Sequence, residues 1–305
     1  MGTPAFAVPS LAALSARENV TLVLCNPDRP AGRGQVMVSP PVKEEAARRG
    51  IPVFQPERAR HPEAVARIAA EAPDLIVVVA YGHILPKSIL DLPKTMCVNV
   101  HASLLPKYRG AAPINWAVAR GETETGITIM KMDEGMDTGP ILHVRRMPIG
   151  GEDTAETMFG KLAELGAEAL VEALGLLRKG ALPEIPQNGA QATYAPMLKK
   201  EHGKIDWGRK ASEIRDLVRG MTPWPSAAAM HGGRRIKILS CAVAAENPAF
   251  AGEPGEVVDA GRGGVCVACG SGVLRLVSVQ PEGGKVMDAW AYAQGHRLGK
   301  GDRLS

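Results

Sequence analysis

The 305-residue chain has few cysteines, no long apolar run and little net charge. Its thiols (Cys25, Cys97, Cys241, Cys266 and Cys269) are sparse for this length and odd in number, which argues against a disulfide framework and fits a reducing cytoplasm. No window approaches the ~18 uninterrupted apolar residues of a spanning helix, so no membrane segment is expected. The start lacks a basic stretch followed by an apolar one, so no signal peptide is expected either. Internal repeats and low-complexity tracts are also missing.

Missing motifs narrow the chemistry further. The glycines of "NPDRPAGRGQVMVSPPVK" (26–43) do not form G-x-G-x-x-G, and no Gly-Lys-Ser/Thr closes the stretch. It reads as a mobile basic loop with Arg29 and Arg33 rather than as a phosphate cradle. The single C-x-x-C at Cys266 and Cys269 has no second pair, and His61, His143, His202, His231 and His296 show no ligand spacing, so no metal is expected. Ser103 invites a hydrolase reading, but no G-x-S-x-G elbow supports it.

What is present is an alternation of strands and helices. Apolar content of 45% with 22% charged residues suits a globular chain. "VTLVLCN" (20–26), "IPVF" (51–54), "DLIVVVAYG" (74–82), "MCVNVHAS" (96–103), "GITIMKM" (126–132) and "PILHVRRMPI" (140–149) read as strands. "PVKEEAARRG" (41–50), "PEAVARIAAEA" (62–72), "AAPINWAVARGE" (111–122) and 154–180 read as helices between and after them. Such alternation predicts an α/β domain with a parallel or mixed sheet over 1–180. A Pro- and Gly-rich linker follows over 181–205. Beyond it, one helix and short glycine-separated runs predict a small antiparallel barrel or sandwich over 206–305. Residues 1–198 carry 20 Lys/Arg and 21 Asp/Glu, whereas 199–305 carry 16 and 11. A net +5 on the last third suggests a polyanionic partner such as nucleic acid, although an ordinary solvated surface gives the same count.

One strand end stands out. Asn99 and His101, two residues apart, share one face of the run "VNVHASLLPKYRGAAPI" (98–114). They are either a satisfied polar network or a site, and in open α/β sheets ligands bind beyond the carboxyl ends of strands. The acidic loop "MDEGMDTGP" (132–140) offers Asp133, Glu134 and Asp137 as carboxylate partners, or is simply a charged hairpin tip. A carboxylate beside an imidazole favours the imidazolium and decides which ring nitrogen bears a proton. An amide can donate to a developing oxyanion. Amide, imidazole and carboxylate together suit acyl transfer to an amine without a covalent enzyme intermediate.

Several longer motifs, in order along the chain, resemble the methionyl-tRNA formyltransferase family of folate-dependent formyltransferases. They are "MGTPAFAVPSLAAL", "PDRPAGRG", "SPPVK", "PVFQPE", "VVVAYGHILPKSIL", "NVHASLLPKYRGAAPI", "ETGITIMKMDEGMDTGPIL", "KLAELGAEALVEAL", "KIDW", "MTPWP" and the terminal "GDRL". The resemblance implies a Rossmann-like domain that binds 10-formyltetrahydrofolate, followed by an OB-like β-barrel that helps hold initiator methionyl-tRNA. It places the catalytic residues at Asn99, His101 and Asp137, and folate binding at Ser103, Leu104, Leu105 and Pro106. Contacts to tRNA fall on Arg33, within a loop over 28–42, and on Lys199 and Lys200 of the linker. Family members open with a short strand before the Gly-Thr-Pro turn. Here Met1 stands just before that turn, so the first strand is expected to be absent from the chain and to lie upstream. Nothing in the sequence asks for more than a monomer. A formyltransferase for a small amine is the nearest alternative, and the basic last third and the 28–42 loop argue against it. A non-catalytic nucleic-acid-binding module would leave Asn99, His101 and Asp137 without a use.

Overall fold

A computed structural model describes residues 1–31, 34–245 and 252–305. Its elements run α1 (Val8–Ser15), β1 (Val23–Leu24), β2 (Arg29–Ala31), β3 (Val36–Val38), α2 (Pro41–Arg48), β4 (Val53–Phe54), α3 (Pro62–Ala69), β5 (Leu75–Val78), α4 (Lys87–Leu90), β6 (Met96–His101), α5 (Pro113–Ala119), β7 (Glu124–Lys131), β8 (Ile141–Pro148) and α6 (Ala155–Arg178). They continue as α7 (Ala211–Gly220), β9 (Ala227–His231), β10 (Arg234–Ala245), β11 (Val257–Gly261), β12 (Gly264–Ala268), β13 (Val273–Pro281), β14 (Met287–Asp288) and α8 (Ala289–His296). Proline opens α2 and α3, where its missing N–H costs nothing. Asp288 caps α8 by accepting from the Trp290 and Ala291 N–H groups. Among the described residues no helix is long and apolar enough to cross a membrane.

The chain forms two compact units. The first comprises Met1–Pro113, Glu124–Pro148 and Phe159–Pro196; the second comprises Ile114–Thr123, Ile149–Met158 and Met197–Ser305. The stretch expected as a linker is therefore divided at Pro196, and two short internal segments join the second unit.

In the first unit, β5–β6–β7–β8 make a mixed sheet, with β5 and β6 parallel and the other neighbours antiparallel. β1 and β4 form a separate parallel pair. Only Val23 and Leu24 of the expected 20–26 strand are laddered, because Val53 and Phe54 are the partners that face them. Met1 and Gly2 join the two sheets: the Gly2 N–H donates to the Leu24 carbonyl at 2.9 Å, and the Val79 N–H donates to the Met1 carbonyl at 2.9 Å. Glycine is required at position 2, since a Cβ would stand 2.8 Å from the Val79 oxygen. Nearby, Leu11, Leu14, Leu22, Ile68, Leu75 and Leu177 line a cavity of about 580 Å³. Ile68, Ile76, Val78, Tyr81, Leu85 and Ile89 pack one core of this unit. The 28–42 segment, expected as a loop, contains the antiparallel hairpin β2–β3, whose Val36, Met37 and Val38 are exposed.

The second unit is built on an antiparallel sheet ordered β11-β12-β13-β10-β9, with β14 against β13. Ile205, Trp207, Ile214, Met221, Ile238 and Leu274 lie in its core. The last residues bring the two sheet edges together. Ser305 and Met230 exchange backbone hydrogen bonds at 3.0 and 2.6 Å, the Leu304 N–H donates to the Gly255 carbonyl and the Val257 N–H donates to the Asp302 carbonyl. The "GDRL" tail thus bridges the two edges through backbone hydrogen bonds without forming a strand of its own, and Leu304 is buried.

Candidate active site

The site is assembled at the carboxyl end of β6. Asn99 pairs with Val78 of β5 and Met130 of β7, and His101 pairs with Thr128, so the central strand presents both side chains on one face. The loop between β7 and β8 brings Asp137 to them. Asp137 Oδ1 lies 3.5 Å from the Asn99 Nδ2 donor, and Oδ2 lies 3.6 Å from His101 Nδ1. The Gly110 N–H donates to the same Oδ2 at 2.7 Å, the shortest bond of the group. The His101 side chain is buried, and 16% of that of Asp137 is exposed. His101 Nε2 lies 3.0 Å from the Tyr108 carbonyl, which can only accept, so this nitrogen carries a proton and Nδ1 is the one that faces Asp137.

Local geometry separates Asp137 from Asp133 within this loop. Asp137 has φ 54°, in the left-handed region, at a cost of about 1 kcal/mol for a residue with a Cβ. Asp133 is consumed inside the loop, accepting from the Gly135 N–H at 3.0 Å and the Thr138 hydroxyl at 2.7 Å. Gly110 has φ 118° and passes so close to the Ala195 carbonyl that a Cβ would stand 2.7 Å from it. Only glycine gives both that close approach and the N–H aimed at Asp137.

The turn after β6 is locked to the sheet. The Thr128 hydroxyl donates to the Ser103 carbonyl at 2.6 Å and accepts from the Leu105 N–H at 3.1 Å. The fully buried Ser103 hydroxyl donates to the Lys107 carbonyl at 2.6 Å, which removes it as a nucleophile. Leu105 is buried, while Leu104 and Pro106 stay partly accessible.

A second polar group lies beyond β1 and β5. His83 donates from Nε2 to the Asn26 side-chain oxygen at 2.8 Å, and Gln55 donates to both the Asn26 carbonyl and Asp28. Lys43 sits 2.6 Å from Asp28 and, with Gln55, holds that carboxyl below its usual range. This network anchors the base of the β2–β3 hairpin. Arg33 lies outside the described residues. Lys199 and Lys200 belong to the second unit, at the start of a short 3-10 turn, and both are exposed.

Residues that sequence reasoning missed surround the trio. Gly110, Arg109, Gln187 and Thr193 hold the loops in place, and the last two fall in the stretch expected as a linker. The only sequence signal of Gln187 and Thr193 is polarity within a Pro/Gly-rich segment, which does not distinguish a site from a tether, whereas Arg109 and Gly110 lie inside the 98–114 motif. The "CVAC" thiols lie in and just after β12; burial pushes Cys269 up to about 11 and also raises Cys266.

Comparison with known proteins gives the family. The "Formyl transferase" family model matches residues 2–174, and "Formyl transferase, C-terminal domain" matches residues 197–297. The methionyl-tRNA formyltransferase of Geobacter metallireducens is 50% identical over 305 residues, covering 100% of this chain and 97% of that protein. The one from Myxococcus xanthus is 46% identical over 303 residues, covering 99% and 96%. Among solved structures, the sugar 3N-formyltransferase WlaRD, determined with dTDP and 5-N-formyl-THF, superposes with a TM-score of 0.67 at 19% identity over 90% of this chain and 95% of its own. An N-formyltransferase from Helicobacter canadensis gives 0.66 at 19%, covering 90% and 97%. At such identity these two structures speak for the fold alone.

Proposed function

The chain belongs to the methionyl-tRNA formyltransferase family, and from that premise we propose how its residues carry formyl transfer. The reaction moves the formyl group of 10-formyltetrahydrofolate to the α-amino group of methionyl-tRNA, with the initiator tRNA as the proposed form. The observation that carries the assignment of roles is the convergence of Asn99 Nδ2 and His101 Nδ1 on the Asp137 carboxylate, within 3.6 Å.

The donor co-substrate supplies an activated formyl carbon. The residues present suit it: Leu104 and Pro106 offer a partly accessible apolar face on the turn that follows the strand carrying the amide donor. Asp137 accepts the proton that the α-amine sheds as it bonds to the formyl carbon. Asn99 donates to the formyl oxygen as negative charge gathers there, and when that charge returns to the carbonyl the bond from the formyl carbon to folate N10 breaks, N10 takes up a proton and tetrahydrofolate leaves. The His101 Nε2–H is engaged by the Tyr108 carbonyl, which leaves Nδ1 as the ring nitrogen that faces the carboxylate. We assign His101 to sharing a proton with Asp137 through Nδ1.

A macromolecular substrate is supported by the basic balance of residues 199–305, and by Lys199 and Lys200 at the surface of the second unit. A substrate that belongs to translation argues for a cytoplasmic protein, and we read it as a monomer. The test is formyl transfer from 10-formyltetrahydrofolate to charged initiator tRNA, measured beside elongator Met-tRNA and free small amines. The initiator should be strongly preferred; equal or faster use of small amines would overturn the assignment. Asn99→Ala and Asp137→Asn should each lower kcat by about 10²–10³ with an unchanged circular dichroism spectrum. Near-normal turnover by a folded Asn99→Ala variant would refute its role.

A further inference from the structure

Gln187 lies in the stretch expected as a linker, yet its amide reaches the carboxylate loop. Its Nε2 donates to the Asp137 carbonyl and to the Gly139 carbonyl, both at 2.8 Å. Its Oε1 accepts from Arg109 Nε at 3.1 Å and Nη2 at 2.7 Å. These partners decide the orientation of the amide. Turned over, it would set its oxygen against two carbonyl oxygens and its NH₂ against two guanidinium N–H groups.

Both ends of the segment that carries Gln187 are fastened. Ile185 exchanges backbone hydrogen bonds with Ile141 at 2.8 and 2.9 Å. At the other end the Tyr108 N–H donates to the Thr193 hydroxyl, the Arg109 N–H to the Thr193 carbonyl and the Ala112 N–H to the Ala195 carbonyl. Gln187 is therefore held on a frame that spans the start of β8 and the loop after β6. What it grips is the residue with the left-handed backbone, Asp137, whose side chain the neighbouring Gly110 N–H orients. Arg109 and Gly110 are consecutive. A single two-residue stretch thus aims the carboxylate and also fixes the amide that secures the backbone beneath it.

We propose that Gln187 is a positioning residue for formyl transfer: oriented by Arg109, it holds the left-handed turn at Asp137 so that the carboxylate stays between Asn99, His101 and the Gly110 N–H. This rests on the reading of Asp137 as the proton acceptor. Gln187 itself touches neither substrate.

The experiment is steady-state formylation of methionyl-tRNA by Gln187→Ala and Gln187→Glu, each made in the wild-type and in the Asp137→Asn background. Gln187→Glu keeps the size of the side chain and its acceptance from Arg109 but has no N–H for the two carbonyls, so the fold is retained while the grip is lost. Both variants should lower kcat about 10- to 100-fold, the loss that a misplacement of about 1 Å produces. Both Michaelis constants should stay within roughly threefold, because the interaction is not with substrate. In the Asp137→Asn background the same replacements should change kcat by less than about threefold, since their effect passes through a carboxylate already removed. Losses that multiply in the double variants, or that fall on KM alone, would overturn the proposal. Near-normal turnover by Asp137→Asn would overturn the catalytic reading on which it rests. A dead Asp137→Asn beside fully active Gln187 variants would overturn the positioning role alone.

Discussion

Replacing Thr128 by valine should detach the turn after β6 from the sheet beneath it. One hydroxyl serves both ends of that turn, donating to the Ser103 carbonyl and accepting from the Leu105 N–H, and Thr128 itself is fully buried. Valine has the same shape and keeps the strand preference, so packing is preserved while both bonds disappear. Each buried backbone group left without a partner costs about 1–3 kcal/mol. Burying a methyl group in place of the hydroxyl returns roughly 1 kcal/mol. The net loss is about 3 kcal/mol, a large share of the ~5–15 kcal/mol that stabilises a typical domain. Thr128→Ser is the control, because it keeps the oxygen and gives up only a methyl group worth about 1 kcal/mol. Urea unfolding followed by far-UV circular dichroism measures the difference, and the Michaelis constant for the formyl donor reports on the turn itself. Valine should raise that constant about tenfold, the equivalent of ~1.4 kcal/mol, and serine should leave it close to wild type. A valine variant as stable as the serine variant would refute the claim that this hydroxyl anchors the turn.

Three further outcomes are expected. Leu304→Ala should destabilise the second unit by about 2–5 kcal/mol, since a buried side chain of the tail is lost; tryptophan fluorescence reads this unit selectively because Trp116, Trp207, Trp224 and Trp290 all lie in it. A loss below roughly 1 kcal/mol would mean that the tail is not part of the core. Burial holds the His231 imidazole below its ordinary value, so the folded unit binds fewer protons than the unfolded chain once pH falls through about 6.5. Stability of that unit should therefore decline as pH drops below this point, and His231→Gln should flatten that part of the curve; an unchanged slope would contradict the assignment. Replacing Lys199 and Lys200 together by alanine should raise KM for methionyl-tRNA and reduce its salt dependence by about 1–2 units of slope. An unaltered slope would show that neither lysine meets a phosphate.

Much of this protein is local and was legible as such. Strand period two alone puts Asn99 and His101 on one face, and β6 presents them that way. Prolines and glycines marked the helix ends, and the continuous apolar run at 74–82 marked the sheet interior, although only Leu75–Val78 became strand. The choice among Asp133, Glu134 and Asp137 was not legible in the pattern, because all three belong to one polar loop. In the folded loop Asp133 is tied locally to Gly135 and Thr138, whereas a long-range bond turns Asp137 toward the Gly110 N–H. The 20–26 run shows the converse: its β-rich composition suits a full strand, yet only the length of a facing partner determined how much became ladder.

Gln187 marks the limit of reading along the chain. It meets Asp137 across 50 positions and Arg109 across 78, inside a segment whose prolines and glycines describe a tether. The tail is similar, since "GDRL" carries no signal for the long-range backbone bonds that it makes to the two sheet edges. The sequence by itself determined the element types, their buried faces and the strand end at which chemistry gathers, because periodicity and backbone preference act over a few residues. Tertiary structure decided what holds Asp137 and how the end of the chain meets the two sheet edges, because those depend on satisfying donors and acceptors that lie far apart in the chain.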